Sequence, residues 1–302
     1  MVDFVKLKED NEDNNKDKKI KISFRKILLI MLMFFMISSI FTSLSLSMSS
    51  KIAVVPIKGV ITTDKSTSLY GSTTSSREIA NILYELKDDN SVKSVILDIN
   101  SPGGSPVASE EISKAIIELR KQKKVYGLIN DIGASGAFWI GVSCDKLYAS
   151  SMSTIGSIGV TSAGLSFENF IKQYNITYRK QTAGKYKDMG SPFRKPSNEE
   201  NEIIQKILDE IHENFINHVA NSRNLSYEQV KKYATGEVFL GTKALSIGFI
   251  DDIMNYEELV NKLTKNDSSI LVIDYGPEKT FSEKLGLNSI FGFSTKSQIL
   301  LK

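Results

Sequence analysis

The sequence predicts an α/β protein built on a parallel sheet with crossover helices. Three observations carry that prediction. Strand-like apolar runs at Lys51–Thr62, Val92–Ile99 and Val125–Asn130 alternate with segments of helical spacing at Arg77–Lys87 and Ala108–Lys121. The stretch Leu128–Trp139, LINDIGASGAFW, runs from a strand through a small-residue turn directly into an apolar helical run. Beyond the N-terminal region about 250 residues remain, enough for one large α/β domain or two small ones.

The elements follow in chain order. Residues 1–26 are polar, rich in Asp, Asn and Lys, and lack apolar periodicity, so a flexible tail is expected. Ile27–Met48 carries no charge and is long enough to span a bilayer as a helix. Lys18, Lys19, Lys21, Arg25 and Lys26 precede it and only Lys51 follows closely, which puts the N-terminus in the cytoplasm and the rest of the chain outside. Ser47-Met48-Ser49 keeps a cleaved signal peptide as the rival reading. Lys51–Thr62 reads as the first strand, with Pro56 pointing to an edge or bulge. A Ser/Thr/Gly loop, 66–76, leads to the helix Arg77–Lys87. Strand Val92–Ile99 is followed by a tight loop, Asn100-Ser101-Pro102-Gly103-Gly104-Ser105, and the helix Ala108–Lys121. Strand Val125–Asn130 ends in Gly133-Ala134-Ser135-Gly136, and helix Ala137–Val142 follows. A short strand is expected at Lys146–Ala149, a glycine-bracketed turn at 153–160, a helix at Phe167–Tyr174 and a strand at Thr177–Gln181. Thr182–Lys195 shows no element. Asn198–Asn221 is the longest helix, with Ile203, Ile204, Ile207, Leu208, Ile211, Phe215, Ile216 and Val219 on one stripe. Tyr227–Tyr233 reads as a short helix, Lys243–Ile253 and Tyr256–Leu263 flank a turn, and Ile270–Ile273 is a last strand. The domain is bounded at 51–275, with a C-terminal tail over 276–302.

Composition excludes several classes. A formal charge of +3, with basic residues spread along the chain and no basic run with interleaved aromatics, gives no nucleic-acid footprint. One cysteine, Cys144, allows no intrachain disulfide, and its apolar surroundings read as a small buried hydrophobe. The two histidines, His212 and His218, fall six apart on the long helix, pointing in different directions and away from any motif. A Ser-His-Asp triad and a histidine metal site are thereby disfavoured. No Walker loop or dinucleotide fingerprint occurs, so no metal or cofactor is expected.

Glycine-serine turns and lysines remain. A strand-to-helix turn lifts Ser135 out of the core and aims backbone N–H groups at whatever sits there. A serine that merely caps the helix would look the same. The loop 100–104 could bring donors to an oxyanion, since its glycines let backbone approach without side-chain cover. With neither histidine near a motif, the base for Ser135 must be a lysine, made neutral by apolar burial; Lys180, Lys185 and Lys187 are the candidates.

Together these motifs resemble the signal peptide peptidase A family, membrane-anchored bacterial serine proteases on the Clp protease/crotonase fold of repeated ββα units. The likeness runs from about Lys51 to Leu263. Asn100-Ser101-Pro102-Gly103-Gly104 resembles the family's N-S-P-G-G loop, Ala134-Ser135-Gly136 its nucleophile turn, and Gly156-Ser157-Ile158-Gly159-Val160 its G-S-[IL]-G-V turn. Lys187-Asp188 before Ser191-Pro192 resembles its K-D…S-P segment. Ser105 stands where some relatives carry a third glycine. The resemblance implies Ser135 as nucleophile, Lys187 as general base with Lys185 as fallback, Ser157 orienting the lysine amine, and Gly104 and Gly136 N–H groups as the oxyanion hole. It implies cleaved signal peptides as substrates, an anchor in membrane lipid and a homo-oligomeric ring. A crotonase-like acyl-CoA enzyme and a non-catalytic membrane scaffold are the alternatives on the same fold.

Overall fold

A computed structural model describes residues 28–29, 31–36, 38, 50–64, 73–265, 267 and 269–276. The chain divides into Met1–Met48 and Ser49–Lys302. In the first unit, the described residues of the expected anchor are helical and exposed; the rest of the anchor lies outside the described residues, as do the tail 1–26 and residues 277–302. Among the described residues no helix is long and apolar enough to cross a membrane.

The second unit is a mixed α/β structure on a largely parallel sheet. Its strands are β1 (Lys51–Thr62), β2 (Thr73–Ser75), β3 (Val92–Gly104), β4 (Lys124–Ala134), β5 (Lys146–Ala149), β6 (Thr154–Gly156), β7 (Val238–Leu240), β8 (Asp252–Ile253) and β9 (Leu271–Asp274). The main path runs β2-β1-β3-β4-β5-β8; β9 pairs β1, while β6 pairs β4 and, antiparallel, β7. The helices are α1 (Ser76–Asp88), α2 (Pro106–Arg120), α3 (Gly136–Val142), α4 (Glu168–Gln173), α5 (Asn198–Arg223), α6 (Tyr227–Lys231), α7 (Gly241–Ser246) and α8 (Tyr256–Thr264).

The period of two along β1 splits the core. Ala53, Val55 and Ile57 pack with Ile79 and Leu83 of α1, Ile112 and Ile116 of α2, and Phe138 of α3. Ile52 and Val54 face the other way, with Ile96, Leu128, Tyr148 and Leu259 of α8. Local chemistry sets the ends of the helices. Ser75 caps α1, Ser105 caps α2 with Pro106 in its first turn, and Ser197 and Glu200 close a capping box on α5.

Four sequence expectations shift. Pro56 lies inside the sheet, paired with Asp98, but in the interval where β1 has left β9 at Val54 and not yet met β2 at Val60. Its missing N–H therefore costs no ladder bond on that side. The segment 100–104 is the end of a strand: β1 extends far enough to pair Val60 with Gly103 and Ile61 with Gly104. Thr177–Gln181 forms no strand; these residues are exposed and no neighbouring strand meets them. In α5 the apolar stripe is buried only at Phe215, Ile216 and Val219, and Ile207 remains 48 % exposed, so the first half of the helix projects beyond the core.

β4 forks, and the fork positions the site. Tyr126–Ile129 pair with β5, whereas Ile132–Ala134 pair with β6. The carboxyl end of β4 stays paired with β3 through Ser101 and Gly133, exchanges β5 for β6 on its other side, and carries Ser135 just beyond it.

Candidate active site

Ser135 stands between the last residue of β4 and the first of α3, with φ 52° and ψ −125°. Positive φ is uncommon for a residue with a Cβ and persists only where surrounding structure imposes it. Here Ser135 N donates to Gly156 O at 2.8 Å, and Trp139 N to Ser135 O at 3.0 Å, fixing the turn from both sides. The side chain makes no capping bond to α3. The simple explanation of this serine as a helix cap therefore fails, and its hydroxyl is left to face a cleft.

That cleft is about 1220 Å³ and is lined by Gly104, Ser135, Gly136 and Ser157 together. The glycines are there because nothing larger fits. A Cβ on Gly104 would meet Ile61 O at 2.0 Å, and one on Gly136 would meet Ser109 Oγ at 2.2 Å and Gly104 N at 3.4 Å. Gly103, at φ 99°, lies so close that its Cβ would fall 2.9 Å from Ser135 Cβ and 2.8 Å from Gly136 N. The backbone nitrogens of Gly104 and Gly136 thus flank the serine, and Gly136 N heads a helix whose first N–H groups lack intrahelical partners. Ser157 also has positive φ, 52°, and its N–H donates to Glu237 O at 2.7 Å.

Lys187 is not among the residues that line this cleft. It sits in the turn 184–190, exposed, with its N–H donating to Gly184 O at 3.2 Å. The apolar burial expected of it is not provided within one chain. Its side chain has no hydrogen-bond or ion-pair partner among the described residues. The rival lysines are engaged. Lys180 Nζ lies 2.9 Å from Asp188, and Lys185 Nζ lies 2.6 Å from Glu199, whose hydrogen bond raises the lysine's pKa further above its ordinary value. A paired ammonium is a poor base, so of the three Lys187 alone is unencumbered. No lysine or arginine lines the Ser135 cleft.

Sequence reasoning missed the histidines. His212 and His218 both line the cleft, with Phe215 between them. Residues 212, 215 and 218 form one i±3 ridge, which runs oblique to the helix axis and keeps both rings on the same groove. His218 stacks on Trp139 at 4.1 Å, and its Nε2 lies 3.1 Å from Trp139 O and from Ser143 Oγ. Burial lowers its pKa, outweighing the Trp139 carbonyl, so it is a neutral packing group behind α3. His212 and His218 are not within reach of a metal-binding cluster; among the described residues none exists.

Buried ion pairs organise the lysine segment. Asp188 accepts from Tyr178 OH at 2.7 Å and from Arg194 Nε, and Arg194 Nη2 also donates to Asp188 O at 2.7 Å. The same guanidinium grips Glu200 with two bonds, 2.6 and 2.8 Å. Asp188 is held far below the usual carboxylate range by Arg194 first, and Glu200 is drawn down to about 2 by the same group.

Residues 117–269, half of the chain, match the family model described as Peptidase family S49, a span that contains Ser135, Ser157 and Lys187. The chain is 34 % identical over 205 residues to a protein of Methanocaldococcus jannaschii named "Putative protease MJ0651", covering 67 % of this chain and 66 % of that one. It is 33 % identical over 238 residues to the "Putative signal peptide peptidase SppA" of Enterococcus faecium, covering 77 % and 69 %. Similarity to "Protease 4" of Haemophilus influenzae is 34 % over 253 residues, covering 82 % of this chain but 40 % of that protein.

Proposed function

The chain belongs to peptidase family S49, and from that premise we propose that it is a serine endopeptidase in which Ser135 attacks and Lys187 is the base. The observation that carries the reading is the uncapped Ser135 hydroxyl, held at a strained turn in a large cleft beside two glycine nitrogens that no side chain can cover. The fold is read as the Clp protease/crotonase type. Neutral Lys187 takes the Ser135 proton as Oγ bonds to the peptide carbonyl carbon. The Gly104 and Gly136 N–H groups hold the oxyanion, each such donor being worth on the order of 3 kcal/mol. As the C–N bond breaks, the ammonium of Lys187 protonates the leaving amine. Water, giving a proton to Lys187, then attacks the acyl ester, and the lysine's proton passes to Ser135 Oγ as the C–O bond breaks. Ser157 orients the amine.

Because Lys187 is exposed and, among the described residues, has no side-chain partner, while none of the described lysines or arginines lines the Ser135 cleft, the base reaches the serine of a neighbouring copy. The homo-oligomer, ring-shaped in this reading, also covers the half-exposed start of α5 and the apolar side chains of Leu165, Phe170 and Tyr174. Substrates are peptides left at the membrane, cleaved signal peptides above all, as the name of the Enterococcus relative suggests. Residues 27–48 anchor the chain with its catalytic domain outside the cytoplasm. Replacing Ser135 or Lys187 by Ala is expected to reduce cleavage of a signal-peptide substrate by about 10⁴-fold or more with the fold intact. Near-normal turnover by Lys187→Ala would refute the dyad.

A further inference from the structure

We propose that Asp188, Arg194 and Glu200 form a clasp that positions Lys187 for proton transfer. The inference rests on the reading of Lys187 as base. The segment between Ser162 and Ser197 has few buried side chains, and its one helix, α4, contributes only Ile171 to the interior. Packing therefore cannot fix where the lysine stands. Charged hydrogen bonds do so instead. Asp188, the next residue after Lys187, has a side chain only 9 % exposed, and Glu200 only 6 %. Arg194 binds both carboxylates at once and the Asp188 carbonyl as well. Glu200 Oε2 also accepts from Ser197 N at 2.8 Å, completing the capping box of α5.

One guanidinium thus ties the peptide unit beside Lys187 to the first turn of α5. The same helix, from Gln205 onward, forms a wall of a Ser135 cleft. With Lys180 on Asp188, the four groups carry two positive and two negative charges. Their charges balance, and the part they play is placement. Arginine suits this place because its planar fork holds donors in fixed directions to two carboxylates and a carbonyl at once, more bonds than the three donors of a lysine ammonium can make. These are positioning residues; none of them lines the Ser135 cleft.

The test uses the full chain and a fluorogenic peptide, with Asp188→Asn, Arg194→Met and Arg194→Lys. A small misplacement of a reacting group is costly, so kcat should fall about tenfold or more in each while KM stays within about threefold. Asp188→Asn combined with Arg194→Met should be no slower than the slower single variant, because both open one clasp. Arg194→Lys should lose kcat although the charge is kept; it also carries the test should the other two fail to fold by circular dichroism. A folded variant with kcat within about twofold of wild type, or a rise in KM at unchanged kcat, overturns the clasp. Lys187→Ala in the same assay reports on the base itself: if it keeps turnover, the dyad has failed whatever the clasp variants do.

Discussion

At the scale of single residues, the backbone of Ser135 and the hydroxyl it presents make opposite demands. A φ of 52° with ψ of −125° suits glycine and burdens any residue with a Cβ, at a cost of about 1–3 kcal/mol. Glycine would relieve that strain but lose more chain entropy on folding, about 0.5–1 kcal/mol. Ser135→Gly should therefore be more stable to urea than Ser135→Ala by about 1 kcal/mol, with both inactive. Equal midpoints would mean that the strain of the turn is no larger than the entropy cost of glycine. Much at this scale was legible: the turn around Ser135, the glycines at 104 and 136 and the unusual residue 157 all stand out in the sequence. The histidines were not, because spacing of six was read by angle around the axis and not along the oblique ridge that brings 212, 215 and 218 to one groove. Nor could composition tell that Lys180 and Lys185 would meet Asp188 and Glu199 and leave Lys187 unpaired.

At the scale of elements, strands and helices with strong apolar runs matched expectation, β1 and β5 to the residue. The departures come from partners distant in sequence. β3 runs five residues past Ile99 because β1 is there to pair it, and Thr177–Gln181 stays irregular because no strand is. The lysine segment is instead an element made of charge, which gives it a pH dependence. Asp188 and Glu200 are both depressed in the folded chain, so they bind fewer protons there than in the unfolded chain. Their contribution is full above the ordinary carboxylate range and is lost as pH falls towards the value of about 2 reached by Glu200. Pepsin should accordingly leave the segment 178–196 intact at the upper end of its working range and cut it, at Tyr186 and Phe193, as pH drops. Arg194→Met should be cut already at the upper end. Cleavage of wild type and variant at the same pH would remove the clasp as the cause.

At the scale of the whole molecule, the two halves of the proposed chemistry stand in different settings. Ser135, Gly104, Gly136 and Ser157 share a rigid, well-packed end of the sheet. Lys187 rides on an exposed segment, alongside Leu165, Phe170, Tyr174 and Ile176, which are all more than half exposed. Apolar groups in that number on one exposed segment fit the proposed meeting with a partner. If the partner is a second copy, serine and lysine come from different chains, and two dead variants can repair each other. In a mixture of Ser135→Ala and Lys187→Ala copies, a lysine from the first meets a serine from the second. Co-expressing the two should restore a measurable share of wild-type cleavage, whereas each alone gives none. The restored activity should also fall faster than linearly on dilution, since it needs the interface as well as the fold. A mixture as inactive as its components, in oligomers shown by light scattering to contain both, would instead require each chain to close its own lysine segment over its own cleft.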